Sequence, residues 1–283
     1  MEFSKLRGQN FLTDRHIVAK IIAAAELSSD DVVLEVGPGL GVMTREILPR
    51  VGKLIAVELD PFFVHELRKE FVVEAKPPKA SAPEVSPHID IVEGDILKIR
   101  ISDLLFSYKP QTTNYKLVTN LPYNITSAFL KKFLIEPPHP ERIVVMLQKE
   151  VCDRICSQTT NYKPPTGLLG IMCNLYAECS FVCKVPASAF VPAPKVDSAV
   201  ICLKPYSEKV FAQKWGFDHG QAEDLLAFIS KFFSQPRKKM CGAFGKKLAP
   251  KCRQALEEIG ESPDSRPAVL SVEKWAALWK KLR

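Results

Sequence analysis

Three glycines and a later carboxylate are the first residues of this 283-residue chain whose types and spacing could do chemistry. Gly37, Gly39 and Gly41 follow an apolar run at 32–36, and Glu58 comes about 20 residues later. Glycines let a strand-to-helix turn approach a ligand closely, and an acid ending the next strand can accept both hydroxyls of a ribose. The pattern predicts a site for a dinucleotide or S-adenosylmethionine, with a plain tight turn as the alternative. The spacing Gly-x-Gly-x-Gly, rather than Gly-x-Gly-x-x-Gly, argues against a dehydrogenase.

A second carboxylate, Asp95, stands just beyond the predicted strand at 89–92. The carboxyl edge of a parallel sheet is where such folds bind ligands, and an acid there can accept from the amino group of an adenine ring. An aspartate after a glycine is more often only a turn residue, so this position alone indicates little. Together with the glycines and Glu58, it completes a predicted adenosine site.

The tetrapeptide Asn120-Leu121-Pro122-Tyr123 ends the next predicted strand and suggests a target. An amine on a purine ring is a poor nucleophile, because its lone pair is delocalised. The Asn120 side-chain oxygen and the carbonyl of Pro122 or Leu121 can each accept one N–H, which favours a pyramidal nitrogen. Tyr123 offers a ring face on which an extruded base can stack, and we expect the ring rather than the hydroxyl to matter. The tetrapeptide alone could be a strand-ending turn, but after the other three features it predicts methylation of an adenine amine.

Alternating strand and helix signals place these residues in a mostly parallel α/β sheet. A helix with Asp14 as N-cap is expected at 17–27, and a closing hairpin at 179–185 and 198–203. The other strands are predicted at 32–36, 54–58, 89–92, 117–119 and 142–148, and the other helices of this region at 43–48, 61–71, 127–133 and 150–156.

Strand signals disappear after Pro205, so we predict two domains, 1–205 and 206–283. The second has helical periodicity at 222–233, 252–259 and 272–282. The chain carries a formal net charge of +7, and between Lys231 and Arg253 it has eight Lys or Arg and no acid. Such a block predicts a polyanionic partner, although a solvated basic helix face is an equal alternative.

The composition narrows the class of protein further. The eight cysteines have no zinc-ligand spacing, which predicts free buried thiols and no metal. The first ten residues are polar and charged, and no apolar run has the ~18 residues needed to cross a membrane. We therefore expect a cytoplasmic protein. A proline-rich stretch at 75–87 is predicted to be a surface loop, and the hexapeptide QTTNYK at 111–116 and 158–163 has no physical explanation.

The motifs taken together resemble the KsgA-type ribosomal RNA adenine dimethyltransferases over nearly the whole chain. The combination of GQNFL, NLPYN and PKVDSAV is very specific to that family. The matching segments are GQNFLTD at 8–14, EVGPGLG at 35–41, VELD at 57–60, EGDIL at 93–97, NLPYNITS at 120–127, AFVPAPKVDSAV at 189–200 and SQPRKKM at 234–240.

The resemblance implies a Rossmann-like, seven-stranded methyltransferase sheet with a small helical C-terminal domain, and it implies a role for each matching residue. Around S-adenosylmethionine it places Asn10, Leu12, Gly37, Gly39, Glu58, Asp95 and Asn120. At the target base it places Asn120, Leu121, Pro122 and Tyr123, with Phe190 stacking from the opposite side. Without the resemblance, the sequence around Phe190 is equally consistent with a core residue and with a functional one. The family's Lys-x-Tyr-Gly loop reads differently at 163–167 and lacks the tyrosine, so the resemblance does not extend to RNA contacts at this loop.

The implied activity is dimethylation of two adjacent adenines in the 3'-terminal hairpin loop of small-subunit (16S) rRNA during ribosome biogenesis. The implied partner is an immature 30S-type particle, and the enzyme is expected to act as a monomer, without a metal, a covalent intermediate or a dedicated general base. Three alternatives stay open. They are the related large-subunit rRNA methyltransferase that confers macrolide resistance, a non-catalytic RNA-binding assembly factor on this fold, and a nicotinamide dehydrogenase.

Overall fold

The computed structural model describes residues 10–71, 88–106, 114–156, 167–235, 238–243 and 245–283. They form two compact units. The first comprises the chain up to Cys152 together with Ser180–Lys204, and the second comprises Asp153–Cys179 together with Pro205–Arg283. The predicted loop at 75–87, residues 111–113 of the first hexapeptide copy, the whole second copy at 158–163 and residues 164–166 lie outside the described residues.

A seven-stranded sheet forms the first unit's framework, in the order β4-β3-β2-β5-β6-β9-β7. A separate two-stranded ribbon pairs β1 with β8. The strands are β1 (Phe11–Leu12), β2 (Val32–Val36), β3 (Lys53–Glu58), β4 (His88–Glu93), β5 (Lys116–Asn120), β6 (Arg142–Gln148), β7 (Ala177–Val185), β8 (Phe190–Val191) and β9 (Ser198–Pro205).

The predicted Rossmann-like arrangement is confirmed. Strands β4, β3, β2, β5 and β6 run parallel, whereas β9 is antiparallel to β6. At the centre, Val36 is in register with Val57 of β3 and with Thr119 of β5. The carboxyl ends of three neighbouring strands therefore lie side by side at the point where the strand order reverses, which is where open α/β sheets bind ligands.

Helices flank these strands in the first unit and make up most of the second. Those of the first unit begin with α1 (Arg15–Ala25), whose predicted N-cap is confirmed, since the Asp14 carboxylate accepts from the amides of His16 and Ile17 at 2.8 and 3.3 Å. The first unit also contains α2 (Val42–Ile47), α3 (Pro61–Phe71), α4 (Ile101–Phe106) and α5 (Thr126–Ile135), and α6 (Lys149–Ile155) crosses the boundary after Cys152. The second unit contains α7 (Gly167–Tyr176), α8 (Glu208–Trp215), α9 (His219–Phe233), α10 (Met240–Ala243), α11 (Gly245–Glu258) and α12 (Val272–Leu282).

Burial explains why the strand predictions succeeded. All five residues of β2 are buried, and four of them are apolar, as expected for a strand covered on both faces. The main core cluster packs the apolar face of α1, including Ile17 and Ile21, against this sheet. This core fixes the strands whose ends carry the predicted site residues.

Segment 153–179 belongs to the second compact unit, whereas the predicted split at residue 205 places it in the first. Hydrogen bonds show the reason. The Trp215 indole of α8 donates to the carbonyl of Leu175 at 2.8 Å, which links the segment to the chain after Pro205. Within the segment, the Asn174 side chain donates to the carbonyl of Ile155 at 2.8 Å. A sequence read in order cannot show that a segment packs against one that follows much later.

The described residues include no helix that is long and apolar enough to span a membrane. They also include no group of three or more His, Cys, Asp or Glu side chains arranged to hold a metal ion.

Candidate active site

One cavity of about 520 Å³ in the first unit is lined by every residue that the sequence assigned to the site. Its volume is in the range of ordinary small-molecule sites. The predicted residues that line it are Asn10, Leu12, Gly37, Gly39, Glu58, Asp95, Asn120, Leu121, Pro122, Tyr123 and Phe190.

The glycine turn between β2 and α2 forms one wall of this cavity. Gly37, Gly39 and Gly41 have φ angles of +68°, +55° and +72°, a backbone conformation that glycine adopts without steric cost. The Gly37 amide donates to the carbonyl of Val57 at 2.9 Å, which ties the turn to the end of β3. A Cβ added at Gly41 would lie 2.8 Å from the ring of Phe71, so close packing also requires glycine there.

The Glu58 carboxylate is held by three backbone amides. One oxygen accepts from Gly39 at 3.0 Å, and the other accepts from Leu59 and Asp60 at 2.9 and 3.0 Å. The side chain is buried, yet it lines the cavity. Glu58 therefore shapes the glycine turn in addition to facing the ligand space, a function that its spacing alone did not indicate.

Asp95 follows β4 and is half-buried at the cavity edge. Its Oδ1 accepts from the Leu97 amide at 3.0 Å, which fixes the side chain in a local turn. Its Oδ2 is 3.8 Å from the Lys98 ammonium, in a loose and exposed ion pair. Asp95 thus stabilises a turn and also lines the cavity, so both interpretations of this position, as a turn residue and as a ligand-binding acid, agree with the structure.

Asn120 ends β5, and its side-chain amide makes no hydrogen bond to any residue that the structure describes. Its strand is tied to β2, because the Thr119 hydroxyl donates to the carbonyl of Val36 at 2.7 Å. The carbonyl of Pro122 accepts from the Ile125 amide at 3.2 Å, whereas within the described chain the carbonyl of Leu121 has no such donor. This difference favours Leu121 over Pro122 as the backbone acceptor.

Two aromatic side chains, Tyr123 and Phe190, line the same cavity from different elements. Tyr123 opens a short 3₁₀ turn after Pro122 and is half-buried, whereas Phe190 lies in β8 and is buried. The Tyr123 hydroxyl forms a 2.6 Å hydrogen bond with the hydroxyl of Ser198 in β9. No sequence pattern indicates this bond.

The β1–β8 ribbon brings the N-terminal segment to the cavity. Leu12 is in register with Phe190, and the amide and hydroxyl of Thr13 donate to the carbonyl of Ala189 at 2.9 and 3.1 Å. Phe11 lines the cavity although the sequence did not single it out. Its ring would lie 3.3 Å from a Cβ at Gly39, so this ring covers the glycine turn.

Glu35 is a buried acid that begins the EVGPGLG segment but was assigned no role from the sequence. It lies in β2 with no exposed surface, and its carboxylate accepts from the Thr44 hydroxyl of α2 at 2.8 Å. Burial raises the pKa of Glu35 to about 8; the charge of Glu58 also raises it, and the hydrogen bonds with Thr44 lower it. The side chain is therefore mostly protonated at pH 7.

A family profile described as "Ribosomal RNA adenine dimethylase" matches residues 2–282. The chain belongs to this family. It is an S-adenosylmethionine-dependent rRNA adenine dimethyltransferase. Among curated proteins, it is 35% identical over 284 residues to "Ribosomal RNA small subunit methyltransferase A" of Thermosynechococcus vestitus, covering 98% of this chain and 95% of that one. It is 37% identical over 275 residues to the protein with the same description from Dehalococcoides mccartyi, covering 96% and 85%.

Solved structures agree with this family assignment. The 23S rRNA methyltransferase ErmE superposes with a TM-score of 0.71 at 27% identity, covering 96% of this dimethylase and 99% of that chain. A dimethyladenosine transferase from Plasmodium falciparum also gives a TM-score of 0.71, at 24% identity, which supports the fold alone. The match to the rRNA adenine dimethylases over residues 2–282 argues against a nicotinamide dehydrogenase.

Proposed function

We propose that this dimethylase transfers methyl groups to the exocyclic amines of two adjacent adenines in the 3'-terminal hairpin loop of small-subunit rRNA. The single observation that carries the proposal is the position of Asn120. Its side-chain amide makes no hydrogen bond within the described part of the chain, and it lies on the wall of the same cavity as Glu58, Asp95 and the glycine turn. The descriptions of the curated relatives, which name the small subunit, support this substrate.

The cavity residues fit S-adenosylmethionine, which supplies an activated methyl group when it is bound. Three backbone N–H bonds occupy three of the roughly four lone-pair sites of the Glu58 carboxylate. The remaining site is on Oε2, the oxygen that accepts only from Gly39, and it can accept from a ribose hydroxyl. Asp95 would accept from the adenine amino group, and Gly37 and Gly39 would offer backbone at close approach. Asn10 and Leu12 would cover the site from the N-terminal segment.

The chain's part in the reaction is to position and polarise the target amine. Asn120 Oδ1 and the carbonyl of Leu121 would each accept one N–H, which holds the nitrogen pyramidal with its lone pair toward the methyl donor. Tyr123 and Phe190 would hold the base ring between them. The amine loses its proton after the attack, when its acidity has risen, so no dedicated base is required.

We further propose that the methyl transfer belongs to the first predicted domain, and that the second, basic domain contacts rRNA. Lys231, Lys238, Lys251 and Arg253 are exposed in the described part of the basic block, where they can neutralise phosphates. The enzyme would act in the cytoplasm, as a monomer on an immature small subunit.

The decisive experiment is to incubate the protein with labelled S-adenosylmethionine and unmodified small subunits, and then to map the label. We expect two dimethylated adenines in the last hairpin loop. Label in large-subunit rRNA would favour the macrolide-resistance class of enzyme, which shares the fold of ErmE. Tight rRNA binding with no transfer to any rRNA would instead indicate an assembly factor.

A further inference from the structure

Two consecutive residues, Asp197 and Ser198, make hydrogen bonds that hold the two aromatic residues of the cavity, Phe190 and Tyr123. Ser198 begins β9, which lies between β6 and β7 in the sheet. Successive residues of an extended chain point in opposite directions, so neighbours can reach two different elements. Ser198 reaches Tyr123, and Asp197 reaches the turn that precedes Phe190.

The bond from Ser198 fixes the far end of the Tyr123 side chain. Ser198 is fully buried and in register with Gln148 of β6, so the sheet backbone holds it in place. Its hydroxyl lies 2.6 Å from the Tyr123 hydroxyl. The axis of the ring is thereby fixed at Cβ by the backbone and at the hydroxyl by Ser198, which reduces the freedom of a half-buried side chain that would otherwise rotate about χ1.

Asp197 holds the other aromatic through the backbone. Its Oδ1 accepts from the Ala187 amide at 3.0 Å, and its Oδ2 pairs with the Lys184 ammonium at 2.7 Å. These contacts lower the pKa of Asp197, chiefly through the hydrogen bond from Lys184, so the carboxylate stays charged. The 3₁₀ turn Ala187–Ala189 leads directly into Phe190, and Thr13 holds its last carbonyl from the other side.

We infer that Asp197 and Ser198 are positioning residues that together set the placement of the Tyr123 and Phe190 rings around the target adenine. The inference rests on the proposed function, because it concerns how the base is held for methyl transfer. Neither side chain lines the cavity, so neither touches the base. Because Asp197 and Ser198 are adjacent in the chain, the contacts that hold Tyr123 and Phe190 are linked to each other.

The central test is a double-mutant cycle across the Ser198–Tyr123 bond. Ser198→Ala and Tyr123→Phe each remove one hydroxyl and keep the rest of the side chain. The bond to Ser198 replaces the expectation from sequence that only the Tyr123 ring matters. Each variant should slow single-turnover methylation of unmodified small subunits, at saturating cofactor and RNA, by about 3- to 10-fold, the factor that corresponds to one ordinary hydrogen bond. The double variant should be no slower than either single one, because all three lack the same bond. Cofactor affinity should not change.

Ser180→Ala is the matched control for Ser198→Ala. Its hydroxyl is in β7 of the same sheet and donates to the carbonyl of Cys202 at 3.3 Å, away from the cavity. It should methylate at the wild-type rate. For Asp197, the Asn variant keeps an oxygen for the Ala187 amide and should retain most activity, since an exposed ion pair contributes little. The Ala variant should be slowed.

A readout without substrate separates this inference from the proposed function. In protein with labelled tyrosine rings, Tyr123→Phe identifies the Tyr123 NMR signal by its loss, and Ser198→Ala should shift or broaden that signal while Ser180→Ala leaves it unchanged. If wild-type protein methylates no small subunit, the proposed function fails, and the NMR comparison still tests the contact. Fully additive losses, wild-type rates in both Ser198→Ala and Tyr123→Phe, or an unchanged Tyr123 signal would overturn the inference. If Ser198→Ala does not fold, Tyr123→Phe still tests the bond, because it removes the same hydrogen bond at a side chain that is only half-buried.

Discussion

At the scale of single residues, Glu58 shows how one carboxylate can serve both backbone and ligand. It accepts three N–H bonds from the turn and the β3 end, which fixes its two oxygens before any ligand binds. Preorganised acceptors need no rearrangement on binding, so the affinity gained from the ribose should be large for so few contacts.

We therefore predict that Glu58→Gln weakens S-adenosylmethionine binding by about 2–3 kcal/mol, because charge-assisted bonds are lost and one amide N–H must face a backbone N–H. Calorimetry on the pure protein measures the affinity, and a urea titration verifies that the variant is folded. The matched control is Glu93→Gln, the exposed acid in register with Glu58 at the end of β4. Equal affinities in the two variants would contradict the ribose assignment.

Asn120 should act differently, because its bond to the amine strengthens as the nitrogen becomes pyramidal. An interaction made mainly in the transition state changes the rate more than the binding. We predict that Asn120→Ala binds rRNA within about threefold of wild type but methylates at least ~100-fold more slowly, as expected for the loss of one preorganised polar group. Single-turnover methylation at saturating cofactor measures this. Asn114→Ala, an exposed asparagine that precedes β5, is the control and should retain full activity.

At the scale of secondary-structure elements, a buried hydrogen bond from the Thr44 hydroxyl of α2 to the carboxyl group of Glu35 joins α2 to β2. The pKa of Glu35 is about 8 in the folded protein, against an ordinary value of 4.5. Between these two values the folded state holds a proton that the unfolded chain has released. The free energy of unfolding must therefore fall as pH rises through this range.

We predict that wild-type protein loses stability relative to Glu35→Gln between pH 5 and pH 8, with a slope of up to about 1.4 kcal/mol per pH unit. Glutamine is neutral at every pH, so it removes this source of pH dependence. Urea unfolding of both proteins at several pH values measures the difference. Glu46→Gln, an exposed acid of α2, should track the wild type. Parallel curves for wild type and Glu35→Gln would show that the Glu35 carboxyl ionises normally.

The elements that sequence patterns revealed are those with a local signal. The bounds of β2, α3, β6 and α12 agree with the predicted ranges, because buried apolar runs and helical periodicity are written into consecutive residues. The helices α7 and α8 and the ribbon of β1 with β8 were not predicted. The ribbon strands have two residues each, and what stabilises them is pairing with a segment far away in the chain.

The same distinction applies to the site. Motif spacing predicted that the glycine turn, Glu58, Asp95 and Asn120 face one cavity, because strand ends of a parallel sheet meet at one edge. The positions of Asn10, Leu12 and Phe190 were expected only from the family resemblance. Motif spacing did not reveal Phe11, the Glu58 contacts with the backbone or the bond between Ser198 and Tyr123, which depend on side-chain direction across 75 residues in the last case. Serine and aspartate in an extended segment carry no signal for such contacts.

At the scale of the whole molecule, the proposed contact between the basic block at 231–253 and rRNA depends on charge. The structure refines the basic block, because Lys239 forms an ion pair with Asp264 at 3.0 Å, which reduces the charge it can offer to phosphate. Lys238, Lys251 and Arg253 are exposed and form no ion pair with a described residue. These three are therefore better probes of phosphate contact than Lys239.

We predict that changing Lys238, Lys251 and Arg253 together to glutamine weakens rRNA binding. It should also reduce the magnitude of the slope of log affinity against log salt by about 2–3, because binding with fewer phosphate contacts releases fewer counterions from the RNA. Affinity for S-adenosylmethionine should not change, since none of the three lines the cavity. Filter binding to small-subunit rRNA across a salt series measures the slope. The charge-matched control changes Arg50, Lys69 and Arg100 to glutamine, three exposed cations of the first unit that already pair with Glu46, Glu66 and Asp103. If both triple variants lose the same slope, RNA affinity reflects net charge alone; if the first keeps the wild-type slope, the basic block is only a solvated face.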